Sequence, residues 1–150
     1  MNFNLVEMYN GLFGDIWTFI RDVVIVNRNA NYNSVYLLKK GVNHADITID
    51  NIQDKCYFIG DQANSNNFIT EFDFRFGPYF IPNKVGTNKK ADYNWIKGNN
   101  GQDTDKAVRV LLLGGSAIRG SRAGSGSFYS DWVRSDSFAT VGFFTTVKLD

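Results

Sequence analysis

Histidine-assisted nucleophilic catalysis has one side chain to run through in this chain. His44 is the only histidine and Cys56 the only cysteine among 150 residues, and no Ser or Cys partner signature lies near His44. A lone cysteine forms neither an intrachain disulfide nor a cysteine-based zinc knuckle. Within the strand-like run Lys55-Cys56-Tyr57-Phe58-Ile59 it reads as a buried free thiol, and His44 reads as structural or exposed. Asp46, Asp50 and Asp54 recur every four residues, which on a helix would stack three carboxylates on one face, where they repel. The alternation of Ile47-Thr48-Ile49 predicts a short extended piece instead. A calcium loop would set acidic ligands at alternate positions around a central glycine, and that pattern is absent. Solvated carboxylates are expected, with no catalytic residue, no metal and no cofactor.

Recognition chemistry, by contrast, is concentrated in one stretch. Residues Ser116 to Thr140 show no sustained helical or strand period, and a connection longer than about 15 residues without structure of its own is usually functional or disordered. It carries Ile118, Arg119, Ser121, Arg122, Tyr129, Asp131, Val133, Arg134, Asp136 and Phe138. Tyr, Trp and Arg dominate protein interfaces, each contributing about 2 kcal/mol or more at a well-packed centre. Tyr129 and Phe138 are expected to be exposed, and Trp132 to fill the small core beneath. Asp131 and Asp136 are expected to pair with the arginines and preorganise them before binding. The glycines at 114, 115, 120, 124, 126 and 142 would let the backbone turn tightly without side-chain packing.

Two apolar runs must hold this stretch in place. Val108-Arg109-Val110-Leu111-Leu112-Leu113 ends at Gly114-Gly115, and Val141 to Val147 follows the stretch; both read as buried strands. Upstream, Ile16 to Ile20 and Val23 to Val26 read as extended. Four asparagines between Asn27 and Asn33 supply turn chemistry, and Ser34 to Leu38 returns as a strand, closing a hairpin. Tyr57 to Gly60 is a strand and Asp61 to Asn67 a polar loop. Phe72, Phe74 and Phe76 alternate with charged residues as a half-buried strand. Gly77 to Pro82 holds both prolines in a fixed, non-helical bend. Asn83 to Asp92 reads as a lysine-bearing loop, Tyr93 to Ile96 as a short aromatic island, and Lys97 to Asp105 as loop. No convincing helical stripe exceeds about three turns, and no repeat or linker divides the chain.

These elements fit one domain, 1–150, long enough to bury roughly two thirds of its unfolded surface. An apolar content of 43% with 21% charged residues is that of a globular chain. The net charge of +1 leaves no electrostatic footprint for nucleic acid or an anionic membrane. No apolar run approaches the about 18 residues of a membrane span, and the N-terminus lacks a signal-peptide pattern. Aromatic residues, at 15%, suit a β-rich core with exposed aromatic contacts.

Three short motifs add a resemblance. Gly14-Asp15-Ile16-Trp17-Thr18-Phe19 resembles the Gly-Asn-Val-Trp-Glu-Trp signature of the formylglycine-generating-enzyme-type branch of the C-type lectin fold. Leu113-Gly114-Gly115-Ser116 and Val141-Gly142-Phe143-Phe144 resemble that branch's closing pair, Arg-Gly-Gly-Ser and Ile-Gly-Phe-Arg, in the same order and with the same long gap. More narrowly, the chain resembles the variable proteins of diversity-generating retroelements, which include phage receptor-binding tail proteins. The resemblance spans about Asn10 to Val147. It implies an α+β, C-type-lectin-like fold, mostly antiparallel β with little helix and long irregular loops. It also implies that the chain is the C-terminal domain of a longer protein, and that residues 116–140 are a variable region diversified by mutation of adenines in Asn codons.

Residue usage supplies an independent check. The chain has 17 asparagines, all within residues 1–100; at that density the last 50 residues would hold about eight, and they hold none. All ten residues named above are of types reachable from an Asn codon by changing its adenines, with Gly120, Ala123, Gly124, Trp132 and Ser135 as the fixed frame. The departures are also informative. The enzymes of this branch use a cysteine pair or a cysteine-built copper site, so the single Cys56 removes that catalysis. Calcium-bridged sugar binding uses Glu-Pro-Asn or Gln-Pro-Asp, whereas Ile81-Pro82-Asn83 lacks the carboxylate. Leu113 replaces the first arginine of the closing pair.

Three classes of function follow. The first is a non-enzymatic binding domain whose diversified loop recognises a protein or glycan receptor on a target cell, from a phage tail or a bacterial surface. It would involve no nucleic acid and no membrane insertion, and a homotrimer is one possible assembly. The second is a structural virion or surface module of the same fold, and the third a degenerate enzyme relative.

Overall fold

The computed structural model describes residues 17–75, 80–96, 107–114, 122, 127–131 and 141–144. Among these the chain forms β1 (Trp17–Asn27), β2 (Tyr32–Leu38), a 3-10 turn (His44–Asp46), a single helical turn α1 (Ile52–Lys55) and β3 (Cys56–Ala63). It continues through β4 (Asn67–Asp73), β5 (Ile81–Gly86), β6 (Tyr93–Trp95), β7 (Val108–Leu113), β8 (Phe128–Tyr129) and β9 (Val141–Phe144). The architecture is β-rich with very little helix. All nine strands belong to one sheet ordered β3-β2-β1-β7-β8-β6-β4-β5, with β9 against β1. The sheet curls until it is nearly closed. Pairing is antiparallel except between β1 and β9 and between β6 and β8.

The β1–β2 hairpin is built by its asparagines. Asn29 Oδ1 accepts from the backbone N–H groups of Asn31 (2.8 Å) and Tyr32 (3.0 Å), while Asn27 Nδ2 donates to Asn33 Oδ1 at 3.0 Å. Such short amide side chains replace backbone partners in a turn. β1 has β7 along one edge, and β9 then β2 along the other. Its register against β7 passes from Ile20↔Leu111 to Val24↔Val110, so Arg21, Asp22 and Val23 bulge and the strand bends. Consequently Trp17-Thr18-Phe19 lies between Leu112-Leu113 and Val141-Gly142-Phe143. The described parts of the three stretches that carry the resemblance, Trp17-Thr18-Phe19, Leu113 and Val141 to Phe144, are neighbours in the sheet.

Strand alternation divides the described apolar residues into three clusters, the smallest being Val110 and Leu112 with Trp95 and Tyr129 packed against them. Ile20, Val23, Ile25, Val35, Leu37, Ile59, Ile81, Leu111 and Phe128 fill the interior of the curled sheet. Val24, Tyr36, Leu38 and Cys56 face outward and are covered by Ile47 and Ile52 of the connection from β2 to β3. In that connection Ile47 is extended, as read from the sequence, but Thr48 has no regular structure and Ile49 lies in a turn, so the extended piece goes no further. The 3-10 turn precedes it and α1 follows. Asn43 Oδ1 caps the 3-10 turn by accepting from Ala45 N, and Asn51 Oδ1 closes the turn by accepting from Thr48 N. Asp46, Asp50 and Asp54 are exposed, His44 is buried, and Cys56 is a buried free thiol.

Three further boundaries differ from the sequence reading. Asp61, Gln62 and Ala63 belong to β3, because Gln62 is polar but fully buried and finds its partners inside the sheet. β4 ends at Asp73, leaving Phe74 at 62% exposure instead of half-buried; Phe76 lies outside the described residues. Residues 83–86 are strand, since β5 runs from Ile81 through Pro82 to Gly86 against β4. The segments Met1 to Ile16, Gly77 to Tyr79 and Lys97 to Asp105 lie outside the described residues.

The seam between the two end strands is tight. Gly60 has φ +157°, and a Cβ there would lie 2.8 Å from Ile81 Cδ1 and 3.3 Å from Asp73 Oδ2. The β2–β3 register slips by one residue at this point, a bulge that a glycine accommodates.

Candidate ligand-binding surface

β8 is a two-residue strand in the middle of the stretch read as having no strand period, and it gives residues 128–131 an inside and an outside. Its edges are bonded to β7 (Leu112↔Tyr129, Leu113↔Phe128) and to β6 (Asn94↔Phe128, Trp95↔Tyr129). Gly114, with φ +94° in the left-handed region, ends β7 and donates its N–H to Ser127 O at 3.1 Å. Phe128 is 2% exposed in the interior core, and Ser127 and Ser130 are fully buried. Tyr129 and Asp131, on the opposite face, are half-buried.

The inward side chains are tied down by a polar network that crosses the interior. Ser130 Oγ donates to Gln62 Oε1 at 2.8 Å, and Asn33 Nδ2 donates to the same oxygen at 3.2 Å. Gln62 Nε2 donates to Asn94 Oδ1 at 2.7 Å, and Asn94 Nδ2 donates to the carbonyls of Ala63 and Ser65. Gln62 and Asn94 therefore use both ends of their amides. A fully satisfied buried network fixes one arrangement, because each alternative leaves a desolvated polar group without a partner. β8 is thus pinned to β3 and β6 from beneath.

On the outer face Tyr129 packs edge-on against Trp95 at 5.9 Å between ring centroids, and Trp95 lies 4.6 Å from Tyr93. Val110 and Leu112 support Trp95 and Tyr129 from β7. The Tyr129 hydroxyl donates to Asp131 Oδ2 at 3.1 Å. Arg109, 5% exposed inside an otherwise apolar strand, donates Nη1 to the Asp131 carbonyl. Arg122 is exposed, its guanidinium 5.2 Å above Tyr93 and 5.6 Å above Trp95.

Of the ten residues proposed from sequence, the structure brings Arg122, Tyr129 and Asp131 to one face: Tyr129 on β8, Asp131 just after it and Arg122 over the β6 rings. Ile118, Arg119, Ser121, Val133, Arg134, Asp136 and Phe138, with the frame residue Trp132, lie outside the described residues. One expectation is corrected: Tyr129 is half-buried because Trp95, Val110 and Leu112 support its ring. The Asp131 carboxylate accepts from the Tyr129 hydroxyl and Arg122 lies over rings, while the expected pairing of Asp131 and Asp136 with Arg119 and Arg134 falls outside the described residues. Sequence reasoning missed Tyr93, Trp95, Arg109, Gln62 and Asn94 as parts of the site. Signals existed for two features: Tyr93 and Trp95 are two apart, on one strand face, and Arg109 is the lone charge in an apolar run.

Scanned against models of protein families, curated proteins and solved structures, the chain matches none.

Proposed function

We propose that this chain is a non-enzymatic ligand-binding domain of C-type-lectin-like type whose C-terminal stretch, residues 116–140, is a retroelement-diversified surface. Its partner would be a protein or glycan receptor on a target cell, met from a phage tail or a bacterial surface. The observation that carries this reading is the alternation on β8. Phe128 and Ser130 lock the strand from within, while Tyr129 and Asp131, with Arg122, project from the other face. A diversified surface needs that separation, since a packed interior responds to a single methylene whereas surface substitutions usually shift stability by about 0.5 kcal/mol or less. The meeting of Trp17-Thr18-Phe19 with Leu113 and Val141-Gly142-Phe143 in adjacent strands supports the resemblance from which the fold assignment comes.

The test is to sequence the gene with its downstream neighbourhood. The reading expects a near-identical non-coding repeat with adenines at codons 118, 119, 121, 122, 129, 131, 133, 134, 136 and 138. Siblings uniform at those codons, with no such repeat, would leave a structural module of the same fold.

A further inference from the structure

Arg122 is held twice, and both restraints come from residues that stay constant if 116–140 varies at the positions named above. Its side chain lies over Tyr93 and Trp95. Its carbonyl accepts from Ser127 Oγ at 3.1 Å, and that same oxygen accepts from the Tyr93 N–H at 3.1 Å. The Tyr93 ring is fixed in turn by Phe68, edge-on at 4.9 Å, and by Trp95. The guanidinium is therefore seated on a rigid pair of rings.

We infer that Arg122 is an anion anchor displayed on a constant aromatic pedestal, and that this surface takes an aspartate or glutamate side chain of a protein partner. The inference rests on the reading of this face as the binding surface. A guanidinium lying over rings keeps its N–H donors in its own plane, a fork that matches a carboxylate. Among the described residues the ion pairs join Arg28 to Asp61, Arg75 to Asp73 and Lys84 to Glu71, so the Arg122 fork meets no carboxylate there. Asp131, the acid on the same face, is engaged by the Tyr129 hydroxyl. A free arginine side chain loses about 2 kcal/mol of rotamer freedom when fixed; the pedestal has removed part of that loss before binding. A sugar ring stacking on this face would need the ring faces of Tyr93 and Trp95, which Arg122 covers. An acidic protein surface is the better match.

The experiment selects displayed random peptides against the purified protein, then compares the selected peptides on wild type and variants whose melting is checked first. Selected peptides should be enriched in Asp and Glu. Their affinity should fall about tenfold or more with Arg122→Gln, and by less with Arg122→Lys, which keeps the charge and loses the fork. Peptides that ignore Arg122→Gln yet are lost with Tyr129→Ala or Asp131→Asn would overturn the anion anchor and leave the surface standing. Peptides indifferent to all these variants would overturn the surface itself. Binding to an array of sulfated or sialylated glycans that Arg122→Gln abolishes, with no peptide selected, would overturn the protein partner.

Discussion

Gln62 is the residue on which the proposed display surface would depend, although it projects nothing outward. It is fully buried, accepts from Asn33 and Ser130, and donates to Asn94. Gln62→Met keeps the volume but leaves Asn33 Nδ2 and Asn94 Oδ1 each short of a bond, while Ser130 Oγ retains the Trp95 carbonyl as acceptor. An unsatisfied buried group costs about 1–3 kcal/mol, so urea unfolding should show a loss of at least that size. Phe128→Ala removes a core ring and should cost about 3–5 kcal/mol in the same measurement. At this scale the sequence was partly legible. The buried free thiol of Cys56 and the exposure of Asp46, Asp50 and Asp54 followed from residue type and neighbours. The burial of Gln62 did not, because its partners are 29, 32 and 68 residues away and no local pattern announces a long-range amide.

Elements were legible where their own side chains decide them. The asparagine-built hairpin and the apolar β7 are such cases. They were obscured where a neighbour decides, as in residues 83–86, whose asparagine and lysine suggest loop but which pair with β4 as an end strand of the sheet. Two expectations belong to that region. Gly60→Ala sets a Cβ 2.8 Å from Ile81 Cδ1 at the β3–β5 seam, and overpacking of this kind costs about 1–3 kcal/mol, readable as a lowered Tm. The β4–β5 hairpin also carries Asp73, held below its ordinary value chiefly by hydrogen bonds from the Arg75 side chain, and Glu71, held below its own chiefly by Lys84 and also by Asn83. A carboxylate with a depressed folded pKa adds stability that is fully present above its unfolded pKa. That stability is lost as pH falls through the folded one. The wild-type minus Asp73→Asn stability difference should therefore be constant above about pH 5 and shrink as pH drops below the ordinary carboxylate range near 4. A difference that grows on acidification would contradict the assignment.

For the whole molecule, the two larger of the three apolar clusters set the plan. One fills the curled sheet, the other lies beneath the connection from β2 to β3, and the outer face of β6 and β8 carries the aromatic residues and Arg122. On the proposed reading, this arrangement would let a stable sheet carry a substitution-tolerant face: Phe128, Ser130, Gln62 and Asn94 are buried, while Tyr129 and Asp131 alternate to the other side. The segregation of all 17 asparagines into residues 1–100 is a whole-chain property of the same kind, visible in the sequence without any structure. The β6–β8 pairing was not visible, since a two-residue strand has too short a period to register and its support comes from both neighbours.

The most direct test of this account is a full substitution scan of residues 62, 94, 122 and 127–131, read as the fraction of each variant that resists proteolysis when folded. The account predicts that positions 122 and 131 accept nearly all residue types. Position 129 should accept most, with aromatic residues favoured by Trp95, while 62, 94, 128 and 130 accept few. If 122 and 131 prove as restricted as 128 and 130, the outer face is part of the packed structure and does not serve as a display surface.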